Sequence, residues 1–97
     1  MRRATLDGMH PDLGSVYDAI YTPLSAGLDA PEFGRNLDAL WDVLTAWLPG
    51  PIEIVWRDYA AARARIGPGL DRLVEVLRQV EAERPDFRLV LEEDPTG

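Results

Sequence analysis

GRNLDALWDVLTAW, residues 34 to 47, reads as a single amphipathic helix, and the rest of the chain is arranged around it. At about 100° per residue, Leu37, Leu40, Val43, Leu44 and Trp47 project to one side. Asp38, Asp42 and Thr45 cluster on the other, with Trp41 on the flank between them. Like charges four residues apart on a helix destabilise it by roughly 0.2–0.5 kcal/mol, and only Asp38 lies near the N-terminus, where the helix dipole favours a carboxylate. An acidic pair that folding does not need, set beside a large aromatic, points to a binding face.

Working outward, Leu48-Pro49-Gly50-Pro51 stops this helix, because proline cannot continue it and glycine permits a turn. IEIVW, Ile52 to Trp56, follows as a strand whose near-continuous apolar character predicts burial in a parallel sheet, with Glu53 the exception. Asp58 or Arg57 starts a short helix over Tyr59 to Arg65 with alanines on its inner side, and Gly67-Pro68-Gly69 breaks it. Leu70 to Glu83 is the longest helix: Leu70, Leu73, Val74, Leu77 and Val80 recur at helical spacing, with charged residues opposite. Pro85 ends it, Phe87 to Leu91 suits a third strand, and Glu92 to Gly97 reads as a loose acidic tail beyond a domain spanning residues 1–91.

Toward the N-terminus, Ala4 to Leu6 forms a strand that ends at the turn signal Asp7-Gly8. Ser15 caps a helix through Tyr21, and Pro23 bends or ends it. Ser25 to Phe33 is a loop that delivers the chain to the central helix. Strands separated by helices imply right-handed crossovers. The fold class is therefore α/β, a small three-stranded parallel sheet packed by about four helices.

Ninety-seven residues make one domain. Seventeen acidic residues against ten basic ones, all arginine, give a formal charge of −7. That balance repels nucleic acid and steers toward a basic protein partner. With no cysteine and one histidine, there is no disulfide framework and no basis for a Cys or multi-His metal site, and no cofactor is implied. Neither a signal peptide nor a membrane helix is expected, and a reducing cytoplasm is compatible. No nucleophile or phosphate-loop motif suggests an enzyme.

Gly34, Asn36, Leu37, Asp38, Ala39, Leu40, Trp41, Asp42, Leu44, Thr45 and Trp47, with Pro51, Trp56 and Arg57 continuing the pattern, carry a specific resemblance. The chain resembles the barstar family, intracellular protein inhibitors of barnase and related microbial ribonucleases. A looser likeness covers nearly its whole length. The resemblance implies a barstar-like fold and a stoichiometric inhibitor whose acidic helix plugs the active site of a basic secreted-type ribonuclease, barnase-like or guanyl-preferring. The carboxylate at Asp42 would stand in for substrate phosphate and accept charge-assisted hydrogen bonds from the enzyme's cations. Asp38, Trp41, Thr45 and Trp47 match positions at or near the contact surface, and Gly34 and Asn36 match the turn leading into it.

Two departures bear on the choice of partner. Where the family carries paired tyrosines before the glycine, this chain has Pro31-Glu32-Phe33, so Phe33 is the residue that retains an aromatic contact. On the last helix the family's contacting glutamate aligns with Gln79. The alternative is an interaction or immunity module on the same scaffold that docks on a different basic protein, a non-ribonuclease toxin or a regulator. Each candidate also has a plainer reading. Asp38 and Asp42 form a solvated helix face, Trp47 is shared between core and rim, and Trp41 is either partly buried or an interface anchor. Gln79 and Thr45 are exposed helix residues, and His10 is an incidental surface residue.

Overall fold

The three expected strands form, Arg2–Leu6 (β1, two residues longer at its start than the expected Ala4 to Leu6), Ile52–Trp56 (β2) and Phe87–Leu91 (β3), in a computed structural model that describes residues 2–29 and 32–92. They pair in parallel in the order β1-β2-β3, with Ala4 beside Ile54 and Ile54 beside Leu89. The helices are Leu13–Ser25 (α1), Leu37–Asp42 (α2), Tyr59–Ile66 (α3) and Gly69–Glu83 (α4), and α2 runs on into a π-helical turn over Val43–Trp47. This is the α/β architecture that the spacing predicts.

Strands in sequence order with right-handed crossovers place every connecting helix on the same face of the sheet. The burial pattern agrees. Ala4, Leu6, Ile52, Ile54, Trp56, Phe87 and Leu89 are buried, while Arg3 and Thr5, Glu53 and Val55, and Arg88 and Val90 alternate with them as exposed or half-exposed residues. β2 is therefore not buried on both faces as its sequence suggests. Glu53 and Val55 lie on the face that no helix covers, and Glu53 is paired with Arg3 at 2.7 Å.

The covered face meets a core centred on Trp56, which is fully buried and donates its indole N–H to the Asp7 carbonyl at 3.0 Å. Val16, Tyr17, Ile20 and Leu24 of α1, Leu40, Val43, Leu44 and Leu48 around α2, and Leu70, Leu73, Leu77 and Val80 of α4 complete it. Of the alanines in α3 only Ala62 is buried, so the inner face of that helix is narrower than expected.

Several boundaries move for identifiable reasons. Asp12, not Ser15, caps α1, its carboxylate accepting the Ser15 N–H at 2.8 Å. That helix continues through Pro23 instead of ending there, because Leu24 completes its buried stripe and Arg2 Nη1 donates to the carbonyls of Leu24 (3.2 Å) and Ala26 (2.9 Å). His10 is not an incidental surface residue. Its side chain is only 16% exposed, and Nδ1 lies 2.9 Å from Ser15 Oγ, because the loop folds over the first turn of α1. Glu92 is not loose: its N–H donates to the Trp56 carbonyl at 2.7 Å and its carbonyl accepts from Tyr59. The remainder of the expected tail, residues 93–97, lies outside the described residues, as does Pro31.

Candidate functional site

The approach to the acidic helix is fixed by side chains. Arg35 adopts a left-handed backbone conformation (φ 51°), which keeps Gly34 to Asn36 out of the helix that the hydrophobic spacing extends over them. Its guanidinium makes a two-point pair with Asp18 of α1, Nε to Oδ1 at 3.0 Å and Nη2 to Oδ2 at 2.9 Å. Asn36 then caps the helix, its Oδ1 accepting the Ala39 N–H at 2.7 Å while its Nδ2 donates to the Gly34 carbonyl. A Cβ on Gly34 would stand 3.1 Å from that Nδ2, so the glycine suits the tight turn. The site therefore begins with a helix at Leu37, not at Gly34.

Phe33 sits beside this turn and faces the molecule. Its ring stacks on Tyr21 (4.7 Å between centroids, 22° between planes) and meets Tyr17 edge to face at 5.7 Å. Glu32 next to it is exposed.

Along the helix, Asp38 is exposed in the first turn, where the dipole favours it, and Asp42 is exposed one turn later. Trp41 is half-buried, with part of its side chain packed against the core and part left accessible. Thr45 is also half-buried, and its hydroxyl donates to the Trp41 carbonyl at 2.7 Å, leaving its lone pairs free to accept. Among the described residues, neither Asp38 nor Asp42 has an ion pair or hydrogen bond from a side chain. Glu32, Asp58, Glu75 and Glu83 are likewise without an arginine among the described residues, whereas five carboxylates elsewhere are held. Asp18, Glu53, Asp71, Glu81 and Asp86 are each within 3.0 Å of an arginine.

The end of the helix departs most from expectation. The Leu48 N–H donates to the Val43 carbonyl at 2.9 Å, an i to i+5 bond. In an α-helix Trp47 would stand above Val43, on the core side; in this wider turn Leu48 takes that place. Leu48 is accordingly 4% exposed and Trp47 58% exposed. Trp47 thus belongs to the solvent face, not to the apolar face where a uniform helical spacing puts it.

Gln79 lies exposed on α4, with Glu75 and Glu83 exposed one turn to either side, and α4 packs alongside α2 and its π-helical turn. The site is thus a convex surface of two adjacent helices, and among the described residues there is no pocket and no group of three or more potential metal ligands. Such a surface suits contact with another macromolecule.

Sequence reasoning missed two groups around the π-helical turn. Arg84 donates from Nη1 to the carbonyls of Leu44 (2.7 Å) and Leu48 (2.8 Å), and its Nε and Nη2 grip Asp86 at 2.9 and 2.8 Å. Those hydrogen bonds hold the Asp86 carboxyl below the usual carboxylate range. Gly50 completes the arrangement, since a Cβ there would collide with the Asp86 carboxylate. Nothing in the hydrophobic pattern marks Arg84, whose carbonyl partners lie 36 and 40 residues earlier in the chain.

Comparison with known proteins supplies a family. The model described as "Barstar (barnase inhibitor)" matches residues 1–92. The chain is also similar to a protein of Bacillus subtilis (strain 168) named "Putative ribonuclease inhibitor YrdF", with 33% identity over 94 residues, covering 95% of this chain and 100% of that protein.

Proposed function

This chain belongs to the barstar family, and we propose from that premise that it is a stoichiometric inhibitor of a basic, secreted-type microbial ribonuclease, held in the cytoplasm to protect the producing cell. It catalyses no reaction. The acidic helix covers the enzyme's active site, and Asp42 occupies the place of a substrate phosphate.

One observation carries this reading. Asp38 and Asp42 stand unpaired on a helix locked at its start by Asn36 and at its end by Arg84, whereas the nearby arginines are engaged elsewhere. A ribonuclease site gathers cations to hold a phosphodiester, and a rigid carboxylate accepts hydrogen bonds from the same groups. Trp47, Thr45 and Gln79 flank that contact, while Trp41 supports it from below. The net charge of −7 draws in a basic enzyme, and that steering weakens as salt rises. The interface is of ordinary size, roughly 1,600 Å² in total.

Titrating guanyl-preferring microbial ribonucleases with the protein tests this. RNA cleavage should fall to zero near one equivalent of inhibitor for at least one enzyme. Full activity at excess inhibitor across a panel of such enzymes would sink the proposal.

A second reading is favoured by the loop before the helix. Phe33 is stacked inward on Tyr21 and Glu32 is exposed in its place, so the aromatic surface offered to a partner differs from the family's. A non-ribonuclease toxin or a regulator with a basic surface would suit that change. Affinity capture from the source cells, followed by an RNA-cleavage assay of the bound protein, separates the two.

A further inference from the structure

We propose that Arg84 is the positioning residue that selects the π-helical turn over a regular α-helical one and so sets Trp47 on the partner-facing side. The role in inhibition rests on the ribonuclease reading above; the role in selecting the turn does not.

In a regular helix the Leu48 N–H would bond to the Leu44 carbonyl. Here it bonds to Val43, which leaves the Leu44 carbonyl without its usual donor. Arg84 supplies one, and the same nitrogen reaches the Leu48 carbonyl where the chain leaves the helix. A guanidinium suits this task because its planar fork donates in several fixed directions at once. Asp86 holds Nε and Nη2, so Nη1 is aimed at the two carbonyls, and the side chain is only 15% exposed. Gly50 leaves the space that Asp86 occupies. The three residues form a lock between the end of α4 and the end of the acidic helix. Releasing the lock returns the Leu44 carbonyl to Leu48 and turns Trp47 back toward the core side.

The test uses the full chain, the variants Arg84→Met and Gly50→Ala, and NMR couplings transmitted across hydrogen bonds. In the parent, the Leu48 amide nitrogen should couple to the Val43 carbonyl carbon. In a folded variant it should couple to the Leu44 carbonyl instead. A parent coupling to Leu44, or a coupling to Val43 that persists in Arg84→Met, overturns the proposal even if Gly50→Ala fails to fold. The second arm measures ribonuclease inhibition at a temperature where each protein is folded. Arg84→Met should weaken inhibition about tenfold in the parent and not at all in a Trp47→Ala background. An equal loss in both backgrounds, or none in either, refutes action through Trp47. If the parent inhibits no ribonuclease but the coupling moves as described, the functional reading fails while the assignment of Arg84 stands.

Discussion

Two amphipathic helices lie side by side in this protein, and they obey their sequences differently. In α4, four of the five residues at helical spacing, Leu70, Leu73, Leu77 and Val80, are fully buried, Val74 is half-buried at the edge of the stripe, and most of the polar residues between them face water. Along α2 and the π-helical turn the same rule half-buries Leu37, buries Leu40, Val43 and Leu44, and then fails at Trp47, which is exposed, while Leu48 goes inside. The first helix builds core along its whole length. The second is regular where Leu40 joins the core and irregular where it presents a surface, and the irregularity is held by an arginine from beyond the end of α4. Hydrophobic periodicity therefore describes what the fold needs, and its local failure marks where something other than the core sets the geometry.

The contrast is sharpened most by removing the carboxylate that the fold does not use. Asp42→Ala is expected to weaken ribonuclease inhibition about a thousandfold, roughly 4 kcal/mol, with little change in the urea midpoint. That magnitude is borrowed from known interface hot spots, of which the barnase–barstar pair is the standard example. In α4 the pattern should reverse. Leu77→Ala leaves a cavity in the core and should cost about 3 kcal/mol of stability in urea denaturation, while inhibition by the folded fraction stays within about threefold of the parent. A large loss of inhibition in folded Leu77→Ala would erase the distinction between the two helices.

Asn36→Ala lies between these cases. It removes the acceptor of the Ala39 N–H and should cost about 1 kcal/mol of stability by thermal unfolding. Because the cap also sets the first turn that carries Asp38, inhibition should weaken measurably too; a change in stability alone would make the cap purely structural.

The smallest effect concerns pH. Arg84 hydrogen bonds lower the Asp86 pKa in the folded protein, so its contribution to stability is complete above the unfolded value of about 3.9 and is lost as pH falls through the folded value. The difference in urea midpoint between the parent and Asp86→Asn should accordingly shrink below about pH 4. A constant difference across that window would argue against an ionised Asp86 gripping Arg84.

Much of this fold is legible from residue types alone. The β2 and β3 boundaries, the long helix and the order of elements follow from β-branched runs, 3.6-residue spacing and the Pro and Gly breaks around residues 49–51 and 67–69. The open face of the sheet is not legible in IEIVW itself, because Val55 is as apolar outside as Ile54 is inside; it follows from strand order. Pro23 misleads because local backbone preference yields there to the burial of Leu24. The acidic face is legible in part. Asp38 and Asp42 emerge from spacing, whereas the exposure of Trp47 depends on hydrogen bonds from Arg84, and the inward stacking of Phe33 depends on tyrosines of a different helix. Contacts between distant parts of the chain have no periodic signature.

The phosphate-mimic role of Asp42 is tested most directly by competition. The affinity of this protein for its target ribonuclease would be measured at rising concentrations of guanosine 3′-monophosphate, which occupies the nucleotide site of a guanyl-preferring enzyme. The apparent Kd should rise linearly with nucleotide concentration, without a plateau, because one site cannot hold both the Asp42 carboxylate and a phosphate. An unchanged Kd with the nucleotide site saturated would mean that inhibitor and nucleotide bind together, and would contradict the account.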